Sequence, residues 1–489
     1  MGDSSEVHLL RAGRWLPAAG LLVVLLAACG GGDAGEEDAA GGRTSTASAQ
    51  AVAAIAKNYF ARRLELNPLL ASELGETAHD AEFGDFLSAT WLADSLANEQ
   101  DTAAALRRID PARLPPRARF THAALLSRTA TEIEGFRYPS ELLVLDPFDD
   151  LPGRFAREPR PGAKAPLADV AAYDAYLQRL DGFVAWVDQA INNLRLGTAK
   201  GIVHPRVIVD RSLPGLAAVA AAQPTETAFW APMRSFPAGV PMADRARLAR
   251  ELDLRLRERV LPAYARLHRF LGTEYLPSAR EAVAFADLPG GAAWYAYLVR
   301  ANSRSTATPA DVHAAALARV AEWRSRAPAS PGVFSPLPVR PGGFLLDPVS
   351  ERAWRAYLSA DSPAEGAPIS RAGVPPTRAL HIAALAAVDT GVHAQGWTRE
   401  RAIAWLVEQL GLDAAVAADH VDRCIAQPAR ALAAFEGLDF FGELRRVAIA
   451  GGGAAADHTE FARRVVESLW MPLPVLGEAV LDKPANPTQ

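Results

Sequence analysis

Eight apolar side chains between Tyr173 and Leu194 recur at spacings of three and four: Tyr173, Tyr176, Leu177, Leu180, Val184, Val187, Ile191 and Leu194. That period places them on one face of a long amphipathic helix. Asp169 before it and Gly197 after it are suited to cap and stop it. The same period returns from about Asp244 to Phe270, where Pro262 is expected to kink or break the helix. Thr308-Pro309-Ala310-Asp311 is a strong helix start, with Thr at the N-cap, Pro at the first position and an acid at the third. Further helices are expected over about Thr377–Val388, Arg399–Leu410, Ala414–Ala426, Ala429–Ala448 and His458–Trp470. No alternating strand pattern of useful length and no internal repeat interrupts them. The fold class is therefore mainly α, one large helical domain over 50–480.

Ten prolines and the Gly342-Gly343 pair crowd the stretch 327–376, with "SERAWRAYL" as the one short helix candidate. A connector this long is unusual inside a compact helical domain.

The bulk numbers exclude some partners. The 489 residues carry a net charge of −5, and no basic run stands out, so no nucleic acid is expected. The beginning of the chain points to a membrane instead. Arg11 and Arg14 precede an apolar run from Trp15 to Ala28, which ends in Leu-Ala-Ala-Cys. That run is short for a membrane span and has the layout of a secretory signal. The ending resembles the bacterial lipobox, in which the cysteine, here Cys29, is acylated and becomes the mature N-terminus. Residues 1–29 then form a lipoprotein signal and 30–49 a flexible tether. The lipid would hold the protein at the cell envelope, and Gly30 after the cysteine leans towards an outer membrane facing the periplasm. Cys424 is left as a buried free thiol.

Seven stretches, in this order, resemble a bacterial family known as domain of unknown function 885. They are "NPLLASELGE", "YDAYLQRLDGFVAWVDQAINNLRLGTAKGIVHPRVIVDR", "LPAYARLHRFLGTEYLPSAREAVAFADLPGGAAWYAYLVR", "TPADVHAAALARV", "DTGVHAQGWTRERAIAWL", "VDRCIAQPARALA" and "MPLPVLGEAV". The resemblance implies a large helical fold similar to zinc metallopeptidases, often exported or lipid-anchored. It also implies a helix with a His-Glu and His-His pattern, then a second glutamate, between the segments that here end near Trp323 and resume near Arg378. Such a site needs two imidazoles and a carboxylate on the metal, and a glutamate to activate its water.

This chain has no histidine in that interval. Its ten histidines stand at 8, 79, 122, 204, 268, 313, 381, 393, 420 and 458, and no two lie three to five residues apart. No helical pair can therefore chelate zinc from one face. Two further family patterns are altered. Ala434 and Phe435 stand where the resemblance places a tyrosine and a lysine, and Ala316 replaces a glycine after His313. The domain thus reads as metallopeptidase-like and shortened in the middle, with no metal ligands, no cofactor and no catalytic residue assigned.

Asp389 and His393 are residual cleft candidates, one turn apart before the turn Ala394-Gln395-Gly396-Trp397. In the structural alternative, Asp389 caps a helix end or turn and His393 hydrogen-bonds across it. Trp397 and Thr398 are expected to staple and cap the next helix. The resemblance puts Trp294, Tyr295 and Tyr297 beside a substrate groove, with His313 nearby, although such aromatics also suit a core. Gly-x-Ser-x-Gly and phosphate-binding loops are absent. The function expected is that of a lipid-anchored pseudoenzyme holding a peptide or an envelope protein in a residual cleft. The alternative is an active hydrolase with a rebuilt site drawing on Asp389, His393, His381, His420 and His313.

Overall fold

The computed structural model describes residues 39–149, 151–157, 167–303, 306–326, 348–361, 376–452 and 457–482. Among them the fold is mainly α. The one strand-like feature is an isolated bridge between Pro205 and Arg280. No helix among the described residues is long and apolar enough to cross a membrane.

Three helices, Ala39–Leu66, Ala89–Arg107 and Pro116–Gly135, pack together at the beginning of the chain. Tyr59, Phe60, Leu106 and Leu125 fill a small core between them. The first helix starts at Ala39, so the tether range 30–49 overlaps its first turns, while residues 30–38 and Cys29 lie outside the described residues.

The main core is built on the helix Val170–Lys200. Asp169 caps it as expected, its carboxylate accepting the Ala172 N–H at 3.0 Å. The stop is Gly201 rather than Gly197. Gly201 adopts φ +70° and closes the helix in the left-handed conformation. Gly197 lies inside the helix, where a Cβ would run into the Ile202 carbonyl.

A second long helix runs parallel to it, and a charge pair recurs every seven residues along the first. Asp174 meets Arg247 at 2.9 Å, Asp181 meets Arg259 at 2.6 Å, Asp188 meets Arg266 at 2.7 Å, and Arg195 meets Glu274 at 2.9 Å. Pro262 does not break this second helix. A π-helical turn, Leu256–Val260, lies between Met242–Arg255 and Leu261–Phe270. The wider turn accommodates the ring and the missing N–H of Pro262 where a regular turn would clash with the carbonyl four residues back.

The helix Pro376–Ala394 is the axis of the domain. From Ala379 to His393 every residue except Leu385 is buried. A helix apolar on all sides has to be surrounded. Pro309–Arg324, Arg399–Leu410, Ala414–Ala426 and Gly291–Ser303 pack around it. Its alanines, among them Ala383, Ala384, Ala386 and Ala387, admit close neighbours. The helix extends a turn and a half past the expected end at Val388, so Asp389 and His393 lie within it. Thr308 and Thr398 cap the two neighbours as expected, accepting the N–H groups of Asp311 and Arg401.

Within 327–376 the structure describes the helix Pro348–Asp361, which includes "SERAWRAYL". It packs against Leu432–Gly451, with His458–Ser468 and Leu473–Asp482, in a second core around Trp354, Phe441 and Phe461. The helix expected over Ala429–Ala448 begins at Leu432 instead, and residues 427–431 form turns before it. A Cβ on Gly437 would overlap the Cα and Cβ of Ala353. Gly437→Ala is therefore expected to destabilise the fold by about 1–3 kcal/mol. Thermal unfolding of the variant beside a Gly442→Ala control, which meets nothing within 4 Å, measures it.

Candidate functional site

Asp389 and His393 are fully buried, and each is engaged by backbone from other elements. Asp389 Oδ1 accepts the Tyr295 hydroxyl at 2.6 Å and the Ala429 N–H at 2.9 Å. Its Oδ2 is sealed from solvent and has no hydrogen-bond partner. Burial pushes this carboxyl up to about 7, against the pull of its two hydrogen bonds. Burial first, and then the carboxylate beside it, drive the Tyr295 phenol well above its ordinary value.

His393 Nδ1 accepts the Phe285 N–H at 3.1 Å, so this nitrogen carries no proton. The proton resides on Nε2, which donates to the Cys424 carbonyl at 2.9 Å. Both nitrogens of the neutral ring are thus used by backbone groups. Burial lowers the pKa of His393 to about 4, and the charge on Arg280 adds to this. Asp389 and His393 therefore link four segments to the axial helix: the Phe285–Asp287 turn, the helix Gly291–Ser303, the C-terminal end of Ala414–Ala426 and the turn after it.

That turn is strained. Gln427 to Arg430 is closed by the Arg430 N–H donating to the Gln427 carbonyl at 3.2 Å. Pro428 occupies its second position, and Ala429 its third with φ +63°. A type II turn requires positive φ at the third position, which normally selects glycine. Ala429 is the one non-glycine residue with positive φ among the described residues. The carboxyl oxygen that holds its N–H comes from forty residues earlier in the chain.

The other expected site residues lie around this centre. Trp294 is buried, stacked on Tyr138 at 5.7 Å and edge-on to Phe285 at 4.9 Å. Tyr297 is half-buried. It stacks on the other side of the same aromatic row, at 5.2 Å from Tyr138, and donates its hydroxyl to the Thr131 carbonyl. His313 is half-buried, its Nδ1 at 2.9 Å from Thr390 Oγ1. The Thr390 hydroxyl donates to the Ala386 carbonyl at 2.7 Å, so it accepts from the imidazole. His381 and His420 meet edge to face, their rings 4.9 Å apart. Burial, and then the charges of His420 and Arg378, lower His381 to about 3. Burial lowers His420 as well. Among the described residues no three His, Cys, Asp or Glu side chains converge as a metal-holding group. Cys424 is free and buried, as expected.

Tyr295 stood out in the sequence as an aromatic of a groove, and the structure makes it the hydroxyl donor to Asp389. Ala429 went unmarked. Its one sequence signal is Pro428, which favours a turn at the point where helical periodicity continues.

The model of a family described as bacterial protein of unknown function, DUF885, matches residues 68–329 and 366–480. The chain belongs to this family. The break in the match falls within the proline-rich stretch, and the helix Pro348–Asp361 lies wholly inside it. No curated protein matches the chain. Solved structures that share the fold include two candidate lipoproteins. A candidate lipoprotein from Colwellia psychrerythraea aligns with a TM-score of 0.73 at 14% identity, over 88% of this chain and 98% of that one. A candidate lipoprotein of unknown function from Shewanella oneidensis aligns with a TM-score of 0.56 at 12% identity, over 88% of this chain and 100% of that one.

Two measurements follow from this geometry. Asp389→Ala strands the Tyr295 hydroxyl and the Ala429 N–H in the core. It is expected to cost about 2–4 kcal/mol in denaturant unfolding, whereas Ala429→Gly, which relieves the positive φ, is expected to stabilise by about 0.5–1 kcal/mol. Two opposed groups set the pH dependence: the buried histidines His204, His381 and His393, lowered to about 3, 3 and 4, and the carboxyls of Glu99, Asp389 and Glu436, each raised to about 7. A depressed histidine contributes stability above its ordinary value near 6.5, and that stability is lost as pH falls towards the folded-state value. A raised carboxyl does the reverse over the same window, so the histidine contribution is read by difference: the thermal destabilisation caused by His393→Ala is expected to shrink as pH falls from about 6.5 to about 4. A difference that stays constant over that range would contradict the assignment.

Proposed function

We propose that this DUF885 protein is a lipid-anchored envelope protein whose helical scaffold resembles a zinc metallopeptidase and works by binding rather than by hydrolysis. The observation that carries the proposal is the use of the Asp389–His393 pair. Both imidazole nitrogens and the bonded carboxylate oxygen hold backbone or tyrosine groups of this chain. A ring used in this way has neither a lone pair for a metal nor a proton for a leaving group. The break in the family match supports the same reading, because it falls where the resemblance puts the metal-binding helix. The two lipoprotein-like neighbours support attachment through Cys29, which lies outside the described residues. The anchor would face the periplasm from the outer membrane, and the occupant would be a peptide or an envelope protein held near Trp294, Tyr297 and His313.

One observation favours the alternative of a rebuilt hydrolase, namely the His381–His420 contact. Elemental mass spectrometry on the Cys29→Ser protein decides between them. The expected result is zinc at background and no chelator-sensitive peptide cleavage. About one zinc per chain, with cleavage lost in His381→Ala and His420→Ala, would establish the hydrolase and overturn the binding reading.

A further inference from the structure

A carboxyl group in the centre of the domain holds one strained turn and has no cation to offset a charge. Asp389 Oδ1 receives both available donors, and Oδ2 is buried without a partner. The titratable and charged groups on the elements packed around it can be named element by element. The helix Gly291–Ser303 presents Tyr295, and Ala414–Ala426 presents the Cys424 thiol, itself pushed up by burial and by Asp389. Beyond that thiol, the Asp422 carboxylate is held by Arg399 at 2.5 Å and by Arg211 at 2.6 Å. Pro309–Arg324 presents His313, one residue along at Thr390. Arg399–Leu410 presents Arg401, which lies over the Trp397 ring at 4.7 Å. The Phe285–Asp287 turn presents its backbone to His393, the titratable neighbour on the axial helix itself. Leu432–Gly451 carries the half-buried Glu436, and burial pushes that carboxyl up to about 7 as well. Among the described residues no arginine or lysine forms an ion pair with Asp389.

We infer that the Asp389 carboxyl is a protonation latch on the Gln427–Arg430 turn, closed when the acid is neutral and released when it ionises. In the neutral form Oδ1 still accepts both donors and Oδ2 carries the proton. In the ionised form a full charge sits in the core with two hydrogen bonds and a bare oxygen. Opening the turn relieves both difficulties. Water reaches Oδ2, and Ala429 leaves its positive φ. The turn joins Ala414–Ala426 to Leu432–Gly451, so its release loosens the attachment of the second core around Trp354 and Phe441. Asp389 has a raised folded-state pKa, so the stability it contributes is present at acid pH and lost as pH rises through about 7.

Hydrogen exchange of residues 425–432 in the Cys29→Ser protein from pH 4 to pH 9, corrected for the intrinsic rate, tests the latch. Protection is expected to fall by up to about tenfold per pH unit, the limit for one proton, between the ordinary aspartate value near 4 and about 7, and to level off above that midpoint. Asp389→Asn cannot ionise and keeps the Oδ1 acceptor, so it is expected to flatten the profile. That result would separate the latch from Glu436 and from the buried Glu99, also pushed to about 7. Tyr295→Phe removes a donor that favours the carboxylate and is expected to move the midpoint to higher pH. It also serves if the Asn variant does not fold. Protection that stays constant in the wild type, an Asp389→Asn profile with the same fall, or a Tyr295→Phe midpoint that does not move would each overturn the latch.

Discussion

Burying a helix on all sides makes each unpaired polar atom on it costly. Pro376–Ala394 is enclosed from Ala379 to His393, and its three polar residues near the end, Asp389, Thr390 and His393, cannot turn to water. Each therefore takes its partner from a neighbour or from its own preceding turn. Those neighbours are spread along the chain: Phe285, Tyr295 and His313 before the axis, and Cys424 and Ala429 after it. Packing alone would leave the surrounding helices free to slide along an alanine-rich surface. The hydrogen bonds from Asp389 and His393 remove that freedom, so the polar core fixes the arrangement that the apolar core makes favourable.

Sequence patterns located the helices better than the joints between them. Ala414–Ala426 and Arg399–Leu410 matched their expected ends: each has one amphipathic stripe, and Thr398 caps the second. Local cap chemistry also identified Asp169, Thr308 and Thr398. The misses came where tertiary contacts outweighed local preference. Gly197 looked like a stop but supplies room for the Ile202 carbonyl, and the stop is four residues on. Pro262 looked like a break but is absorbed by a wider helical turn. Ala429 continued a helical pattern, yet the carboxyl group of Asp389 holds it in a conformation that alanine avoids. Nothing within four residues of Ala429 announces that contact.

The candidate site shows the same limit. An aspartate and a histidine one turn apart beside a turn suggest chemistry, and the family resemblance strengthens that impression. The sequence could name both residues and could show that the expected histidine block was missing. It could not show that His393 receives one backbone group and donates to another, since neither Phe285 nor Cys424 marks itself as a backbone partner. The aromatic run 294–297 was equally ambiguous. Tyr295 points to the polar centre, while Trp294 and Tyr297 share the ring of Tyr138, which only the folded chain brings between them.

The charge ladder between the two long parallel helices determines how they align. Asp174, Asp181 and Asp188 each face an arginine, but the last rung is reversed, with Arg195 against Glu274. Had all four rungs shared one polarity, a shift by seven residues would have rebuilt most of the pairs at little cost. With the reversal, the same shift sets Asp188 against Glu274 in one direction and Arg195 against Arg266 in the other. Surface ion pairs add little stability one by one. Here their order acts as an address, so that an apolar seam tolerant of several alignments is read in one.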